Sequence, residues 1–424
     1  MKGNRQMSPV KKPGPSLTAV PSSPGAARVT GPCKEVRSAT DLAICGAPPM
    51  FAGPLHVGSP NIGNTERFFA RARDILETRW LSNNGPMVVE FERQVTRQLG
   101  VGHCVAMCNG TIALEIATRA LELKGEVIVP SYTFVATAHA LQWQEITPIF
   151  ADIDPATQNL DPDAVRRMIT PRTTGIVGVH LWGRGAPVAE LREVAREHGL
   201  RLMFDASHGF GCTYGGMPLG NFGDCEVFSF HATKFFNTFE GGAVVTNDDQ
   251  LAEKMRLMRN FGFSGYDRVI YPGTNGKMTE IAAAMGLTNL EDLPDFVATN
   301  RRNYHAYRDE IRTIRGLRLL EYDEGEQNNF QYIVLDVSPG FPVSRDRLVE
   351  IMHSENVLAR KYFWPGCHNM EPYRSYYPHA GLVLANTTRV AERVVVLPTG
   401  TATTVEDIRA IASILRVLAT GTAA

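Results

Sequence analysis

The sequence predicts an α/β protein: a large domain built on a mostly parallel mixed sheet, then a smaller C-terminal α+β domain. Three observations carry this expectation. From about Val101 to Thr246, short apolar runs alternate with amphipathic stretches, the pattern of strand–helix–strand units whose sheet is covered on both faces. Beyond residue 295 the alternation gives way to one strand-like run and long helical patterns. At 424 residues the chain is long enough to fill two cores.

In chain order, residues 1–47 are rich in Pro, Ser, Gly, Lys and Arg and nearly free of apolar clusters, so they are expected to form a disordered extension. They have no apolar stretch of the kind a secretory signal needs. The large domain is expected over 48–295. Its strand-like runs are VAMC (105–108), EVIVP (126–130), PIFAD (148–152), GIVGVHL (175–181), RLMFDA (201–206), Val227–Phe230 and Ala243–Thr246. Helical periodicity fills Ile112–Leu123 and Val188–His198 between them and Glu280–Leu293 after them. The small domain is expected over 296–424. It holds a helix over Asn300–Ile311, a strand in NFQYIVLDV (329–337), and helices in VSRDRLVEIMHSENV (343–357) and TVEDIRAIASILRVL (404–418).

Composition narrows the function classes. The formal net charge of −1 offers no general attraction to nucleic acid or to a membrane surface. No apolar run approaches the ~20 residues that span a bilayer. The cysteines are scattered and never spaced CxxC, which argues against a disulfide framework or a zinc site and fits a reducing cytoplasm.

The chemistry concentrates in FSFHATKFFNTFEGGAVVTN (228–247). Lys234 lies between two apolar strand-like runs, where desolvation disfavours its charged form. A lysine with a lowered pKa can form a Schiff base with a carbonyl compound, which makes Lys234 a candidate for the catalytic lysine of a pyridoxal-phosphate enzyme. Three further segments fall at strand ends, the edge where open α/β sheets bind ligands. CNGTIAL (108–114) turns from strand into helix, so Gly110 and Thr111 form either a phosphate cradle or a simple cap. FDASHGFG (204–211) delivers Asp205, which can pair with a protonated pyridine nitrogen or cap a turn, and places His208 three residues on. PSYTFVAT (130–137) brings Tyr132 and Phe134, either of which can stack on an aromatic cofactor or pack in the core. Ser229 can bond a phosphate, and the Glu240-Gly241-Gly242 turn can let backbone approach a ligand closely.

The set GT-AL, PS-TF-AT, DA-H, SFHATK and EGGAVVT, in this order, resembles the DegT-type sugar aminotransferases over roughly Leu55–Leu418. The resemblance implies the fold type I architecture of aspartate aminotransferase, pyridoxal 5'-phosphate as cofactor, and a homodimer with its active site at the interface. It implies Lys234 as the Schiff-base lysine and Asp205 as the partner of the pyridinium nitrogen. His208 then matches the group that bonds the cofactor's phenolic oxygen, Phe134 the stacking ring, and Gly110, Thr111 and Ser229 the phosphate contacts. Asn275 matches an asparagine that reaches the phosphate of the neighbouring subunit. It stands here in Thr274-Asn275-Gly276-Lys277, without the aromatic residue and arginine that many members carry around it. A branch of the family that dehydrates sugars has histidine at the lysine position, and Lys234 sets this chain apart from it.

RWLSNNGPMVVEFE (79–92), VGVHLWGR (177–184), YFWPGCHNMEPYRS (362–375) and LPTGTA (397–402) further resemble nucleotide-sugar 4-aminotransferases of antibiotic deoxysugar pathways. That implies L-glutamate as amino donor and dTDP-4-keto-6-deoxy-D-glucose as acceptor, giving a dTDP-4-amino-4,6-dideoxy sugar. His368, Glu371, Tyr373 and Arg374 are the candidates for shaping the sugar site. The alternatives are a 3-keto nucleotide-sugar aminotransferase, a non-catalytic regulator that binds the cofactor, and a lyase or racemase acting on free amino acids. The presence of Lys234, Asp205 and Ser229 weighs against the regulator, and the sugar-enzyme-like segments weigh against the lyase or racemase.

Overall fold

The computed structural model describes residues 31–421. The extension expected over 1–47 therefore lies outside the described residues as far as residue 30. Within Gly31–Ala47 the chain makes two short 3-10 turns, Ala39–Asp41 and Ala43–Cys45, and buries Val36 and Leu42. The apolar residues of this stretch, Val36 and the Leu42-Ala43-Ile44 run, are too few and too unevenly spaced to show as a periodic signal.

The strand-like runs join one seven-stranded sheet. Its members are β1 (His103–Met107), β2 (Glu126–Pro130), β3 (Thr147–Ala151), β4 (Thr173–Val179), β5 (Arg201–Asp205), β6 (Cys225–Ser229) and β7 (Gly242–Thr246). They lie in the order β1-β7-β6-β5-β4-β2-β3. All neighbours run parallel except β7, which is antiparallel to both β1 and β6. The period-two alternation of a strand sends side chains to opposite faces. Val105, Met107, Val127, Val129 and Val227 pack with helices α1 (Gly110–Ala120) and α2 (Ala136–Gln142) on one side. Cys104, Ala106, Phe228 and Ala243 pack on the other. Both faces are buried, so the strands read as continuous apolar runs.

A second sheet of three antiparallel strands, β8 (Leu317–Leu319), β9 (Ile333–Val337) and β10 (Val394–Leu397), carries another core. It packs with α3 (Leu293–Ile311), α4 (Arg345–Ser354) and α5 (Val405–Ala419) through Tyr307, Leu348, Met352 and Ile411. Val36 and Leu42 belong to this core. The domain boundary expected at 295/296 falls inside α3. Leu293 and Phe296 lie in a core of the large sheet, while Tyr304, Tyr307 and Ile311 lie in the second core. The buried positions of α3 keep helical spacing across the boundary, so one helix belongs to both cores. Leu55–His56 pairs in parallel with Val357–Leu358, which brings an N-terminal segment and a C-terminal segment together beside the large sheet's ligand edge. Among the described residues no helix is long and apolar enough to cross a membrane.

Candidate active site

A cavity of about 620 Å³ opens at the carboxyl ends of β4, β5 and β6 and the N-terminus of α1. Gly110, Thr111, Phe134, Asp205, His208, Ser229 and Lys234 all line it. They are scattered through the sequence, and the parallel sheet gathers them because each follows or ends a strand on the same edge.

Lys234 sits in the loop between β6 and β7, whose antiparallel pairing sets Ser229 opposite Gly242. The backbone of this loop is fixed on both sides of the lysine. Its own N–H donates to the His231 carbonyl at 2.8 Å, while Gln331 Nε2 donates to the Thr233 carbonyl at 3.1 Å and Asn61 Nδ2 to the Phe235 carbonyl at 3.0 Å. Withdrawal from bulk water pushes the Lys234 amine down to about 8, and the negative charge of Asp205 opposes part of that fall.

Asp205 ends β5. Thr137 Oγ1 donates to its Oδ2 at 2.8 Å, and the Ser207 N–H donates to its Oδ1 at 3.0 Å. Thr133 Oγ1 lies 3.1 Å from Thr137 Oγ1, so the grip on the carboxylate extends back to the turn after β2. His208 is held differently. Its Nδ1 accepts the Trp182 N–H at 3.2 Å, which leaves the ring proton on Nε2. Burial, reinforced by the positive charge of Lys234, holds the imidazole well below its ordinary pKa. The ring packs beside the Trp182–Phe363 pair, 6.0 Å from each centroid, and against Tyr332 at 4.7 Å. It is therefore a fixed, neutral hydrogen-bond donor.

At the N-terminus of α1, Asn109 caps the helix. Its Oδ1 accepts the Ile112 N–H at 2.8 Å and its carbonyl accepts the Ala113 N–H at 3.1 Å. The N–H groups of Gly110 and Thr111 are left without an acceptor among the described residues. Free N–H groups at the positive end of a helix suit a phosphate. Gly110 is dictated by proximity, since a Cβ there would stand 2.8 Å from the Cβ of Ser229. Gly242 has the same reason: its Cβ would stand 2.6 Å from the carbonyl carbon of Asn109. The glycine of β7 thus serves to seat the strand behind the cradle, a different role from the close approach to ligand expected of the Glu240-Gly241-Gly242 turn.

These residues fit pyridoxal phosphate part by part. The cradle at Gly110, Thr111 and Ser229 suits its phosphate, Asp205 its ring nitrogen and His208 its phenolic oxygen. Lys234 has the lowered pKa that bonding to an aldehyde requires. Between the two rings considered for stacking, Tyr132 is fully buried and donates from its hydroxyl to the Tyr362 carbonyl at 2.7 Å. Phe134 is 55% exposed in the cavity wall, a placement that a flat ligand lying on it would cover.

The residues proposed from sequence for the sugar site do not line the cavity. His368 is buried, with Nδ1 2.7 Å from Ser131 Oγ. Tyr373 is buried, its hydroxyl 2.7 Å from His139 Nδ1 and its ring against Phe150. Arg374 is exposed and paired with Glu371 at 2.7 Å. The segment after Phe363 packs on α2, β3 and the turn after β2, where His368 and Tyr373 spend their polar atoms on anchoring. The cavity wall comes instead from Arg360, Tyr362 and Phe363 just before it, with Tyr332 and the Val57-Gly58 turn. Asn275 is exposed, bridges to Asn260 and lies outside the cavity of its own chain. Thr137 lies in the first turn of α2, inside the PSYTFVAT segment, but nothing in that segment distinguishes it as a partner of Asp205. Tyr332 and Arg360 had no sequence signal, since they reach the site from the second sheet, Tyr332 just before its central strand and Arg360 paired to its edge strand at Val396.

The sequence pattern of the DegT/DnrJ/EryC1/StrS aminotransferase family matches residues 63–416. The chain is 36% identical over 347 residues to the dTDP-4-amino-4,6-dideoxy-D-glucose transaminase of Shigella dysenteriae, which covers 81% of this chain and 94% of that protein. It is 36% identical over 325 residues to the GDP-perosamine synthase of Caulobacter vibrioides, covering 75% and 86%. The crystal structure of DesI in the presence of its TDP-sugar product matches with a TM-score of 0.87 at 50% identity, covering 90% of this chain and 97% of DesI.

Proposed function

Because the chain belongs to the DegT/DnrJ/EryC1/StrS aminotransferase family, and so is a pyridoxal-phosphate-dependent sugar aminotransferase of fold type I, we propose the following reaction for it. It moves the amino group of L-glutamate to C4 of a dTDP-4-keto-6-deoxy-hexose, giving a dTDP-4-amino-4,6-dideoxy sugar for an antibiotic glycoside. The observation that carries the substrate is the 50% identity to DesI across 90% of the chain, DesI being a protein whose product is a TDP-sugar. The Shigella relative, at 36% identity, is a transaminase of dTDP-4-amino-4,6-dideoxy-D-glucose and supports the same carbon.

Bound pyridoxal phosphate supplies the electron sink that makes a carbon–hydrogen bond next to nitrogen acidic. The chain's residues do the rest. Gly110, Thr111 and Ser229 hold the phosphate and Phe134 covers the ring. Asp205, gripped at both oxygens by Thr137 and Ser207, holds a proton on the ring nitrogen. His208 donates from Nε2. Lys234 anchors the cofactor and then carries the proton: an amine with a pKa of about 8 can take a proton at Nζ near neutral pH and give it back. The same groups serve donor and acceptor, so the two substrates enter one cavity in turn and the kinetics are ping-pong.

The working unit in this reading is a homodimer, with Asn275 reaching the neighbouring subunit's cofactor phosphate. Exposed Phe239, next to the cavity residue Glu240, lies 5.5 Å from Phe68, which in turn touches exposed Phe69. That apolar rim is the face a second copy covers.

The test is direct. Purified protein is incubated with L-glutamate and dTDP-4-keto-6-deoxyglucose, and NMR locates the new amine. An amine on C4 is expected; an amine on C3, or no amination, overturns the proposal. Lys234→Ala should lose both turnover and the borohydride-trappable bond to the cofactor.

A further inference from the structure

Arg360 is a cation in the cavity wall with no acidic partner. It lines the cavity together with Asp205, His208 and Lys234, and it is the one arginine among the described residues that does so. No carboxylate of the described residues lies within ion-pair distance of it, whereas its neighbour Lys361 pairs with Asp346 at 3.1 Å. It is nevertheless held in place. Its N–H donates to the Val396 carbonyl at 3.0 Å and its carbonyl accepts the Val396 N–H at 2.8 Å, which clamps its backbone to β10. Its guanidinium lies over the Tyr362 ring, 5.2 Å from the centroid. Clamp and stack present a planar donor fork, and such a fork matches the paired oxygens of a carboxylate or a phosphate.

We propose that Arg360 is the anion-recognising residue of the substrate site, its guanidinium taking carboxylate or diphosphate oxygens of the substrate in the cavity. The inference rests on the reaction proposed above for its substrates, both of which are anions: glutamate carries carboxylates and the nucleotide sugar a diphosphate. Lys234 is committed to the cofactor, which leaves Arg360, among the described lysines and arginines lining the cavity, free to meet them.

Two unreactive probes separate the sources. Glutarate offers the carboxylates of the donor without its amine, and dTDP offers the diphosphate without the sugar. Their binding to the holoenzyme is measured by calorimetry for the wild type, Arg360→Gln and Arg360→Lys. Losing one charge-assisted hydrogen-bonding group should weaken binding about 10- to 100-fold in Arg360→Gln. Weakening for glutarate alone assigns Arg360 to the donor carboxylate, for dTDP alone to the diphosphate, and for both to a shared role. Arg360→Lys keeps the charge without the fork and should recover part of the loss; it carries the test should the glutamine variant not fold. Unchanged binding of both probes in the variants overturns the proposal. A wild type that binds glutarate but not dTDP argues against the dTDP-sugar substrate while leaving Arg360 testable with glutarate.

Discussion

Thr137, in the first turn of α2, donates a 2.8 Å hydrogen bond to Oδ2 of Asp205, at the end of β5. The two residues are 68 positions apart in the chain, and the sheet brings them together under the cavity. In the proposed reaction this bond fixes the orientation of the carboxylate.

Thr137→Val removes that donor at nearly constant volume. A hydrogen bond to a charged group contributes about 1.5–3 kcal/mol, so kcat/KM should fall about 10- to 100-fold. Thr137→Ser should keep most of the activity. Steady-state kinetics read against cofactor content by absorbance check this, and an unaffected valine variant contradicts the positioning role.

The Lys234 amine, pushed down to about 8 by burial, should react with small aldehydes at lower pH than surface lysines do. In cofactor-free protein, formaldehyde and borohydride should modify Lys234 with a midpoint near pH 8, followed by peptide mass spectrometry. Burial of this amine also makes stability depend on pH. Its folded pKa lies below the unfolded value of 10.5, so the unfolded chain binds more protons across about pH 8 to 10.5. This lysine opposes folding at pH 7, and that opposition fades as pH rises through the window.

Gly242→Ala should weaken the cofactor without touching it. The added methyl would stand 2.6 Å from the Asn109 carbonyl carbon, so backbone at the phosphate cradle must move. The expected result is a folded protein with weaker binding of pyridoxal phosphate, measured by titrating the cofactor-free form.

Glu226→Ala should destabilise the sheet beneath the site. Glu226 and His180 are fully buried, with Oε2 3.0 Å from Nε2, and Oε1 also accepts the Phe222 N–H at 2.7 Å. His180 Nδ1 accepts the Ala186 N–H at 2.9 Å, and its backbone N–H donates to the Asp205 carbonyl at 3.0 Å. Removing the carboxylate leaves the buried Phe222 N–H without its acceptor, at a cost of about 1–3 kcal/mol. A clear drop in the thermal midpoint is expected, and a midpoint equal to the wild type's would contradict the pairing.

Arg374→Ala should change little. Its ion pair with Glu371 is exposed, and exposed pairs contribute about 0–1 kcal/mol. Activity is expected within twofold of the wild type, in contrast to Arg360→Gln.

The residues proposed to hold the cofactor were legible as a cluster at one strand edge because their signals are local. A strand that turns into a helix at Asn109-Gly110-Thr111, an aspartate ending an apolar run and a lysine between two such runs each show within a few residues. Phe134 and Tyr132 were not separable that way. They are two positions apart, and only packing shows that Tyr132 bonds the Tyr362 carbonyl inside the core while Phe134 faces the cavity. The segment 362–375 looked like a substrate site because it was distinctive, yet only its first two residues reach the cavity. Val36 and Leu42 were missed because burial against a distant core leaves no periodic trace in a short segment.

By itself, then, the sequence determined the strand–helix architecture, the strand edge at which the cavity opens, and the residues proposed to hold the cofactor there. Those depend on short-range hydrophobic periodicity and on chemistry carried at strand ends. Tertiary structure decided the rest of the cavity wall and the supports behind it: Arg360 and Tyr362 beside the second sheet, Tyr332, and the grip of Thr137 on Asp205. These depend on which side chains from separate sheets converge and which are consumed by anchoring, and convergence is set by packing in three dimensions.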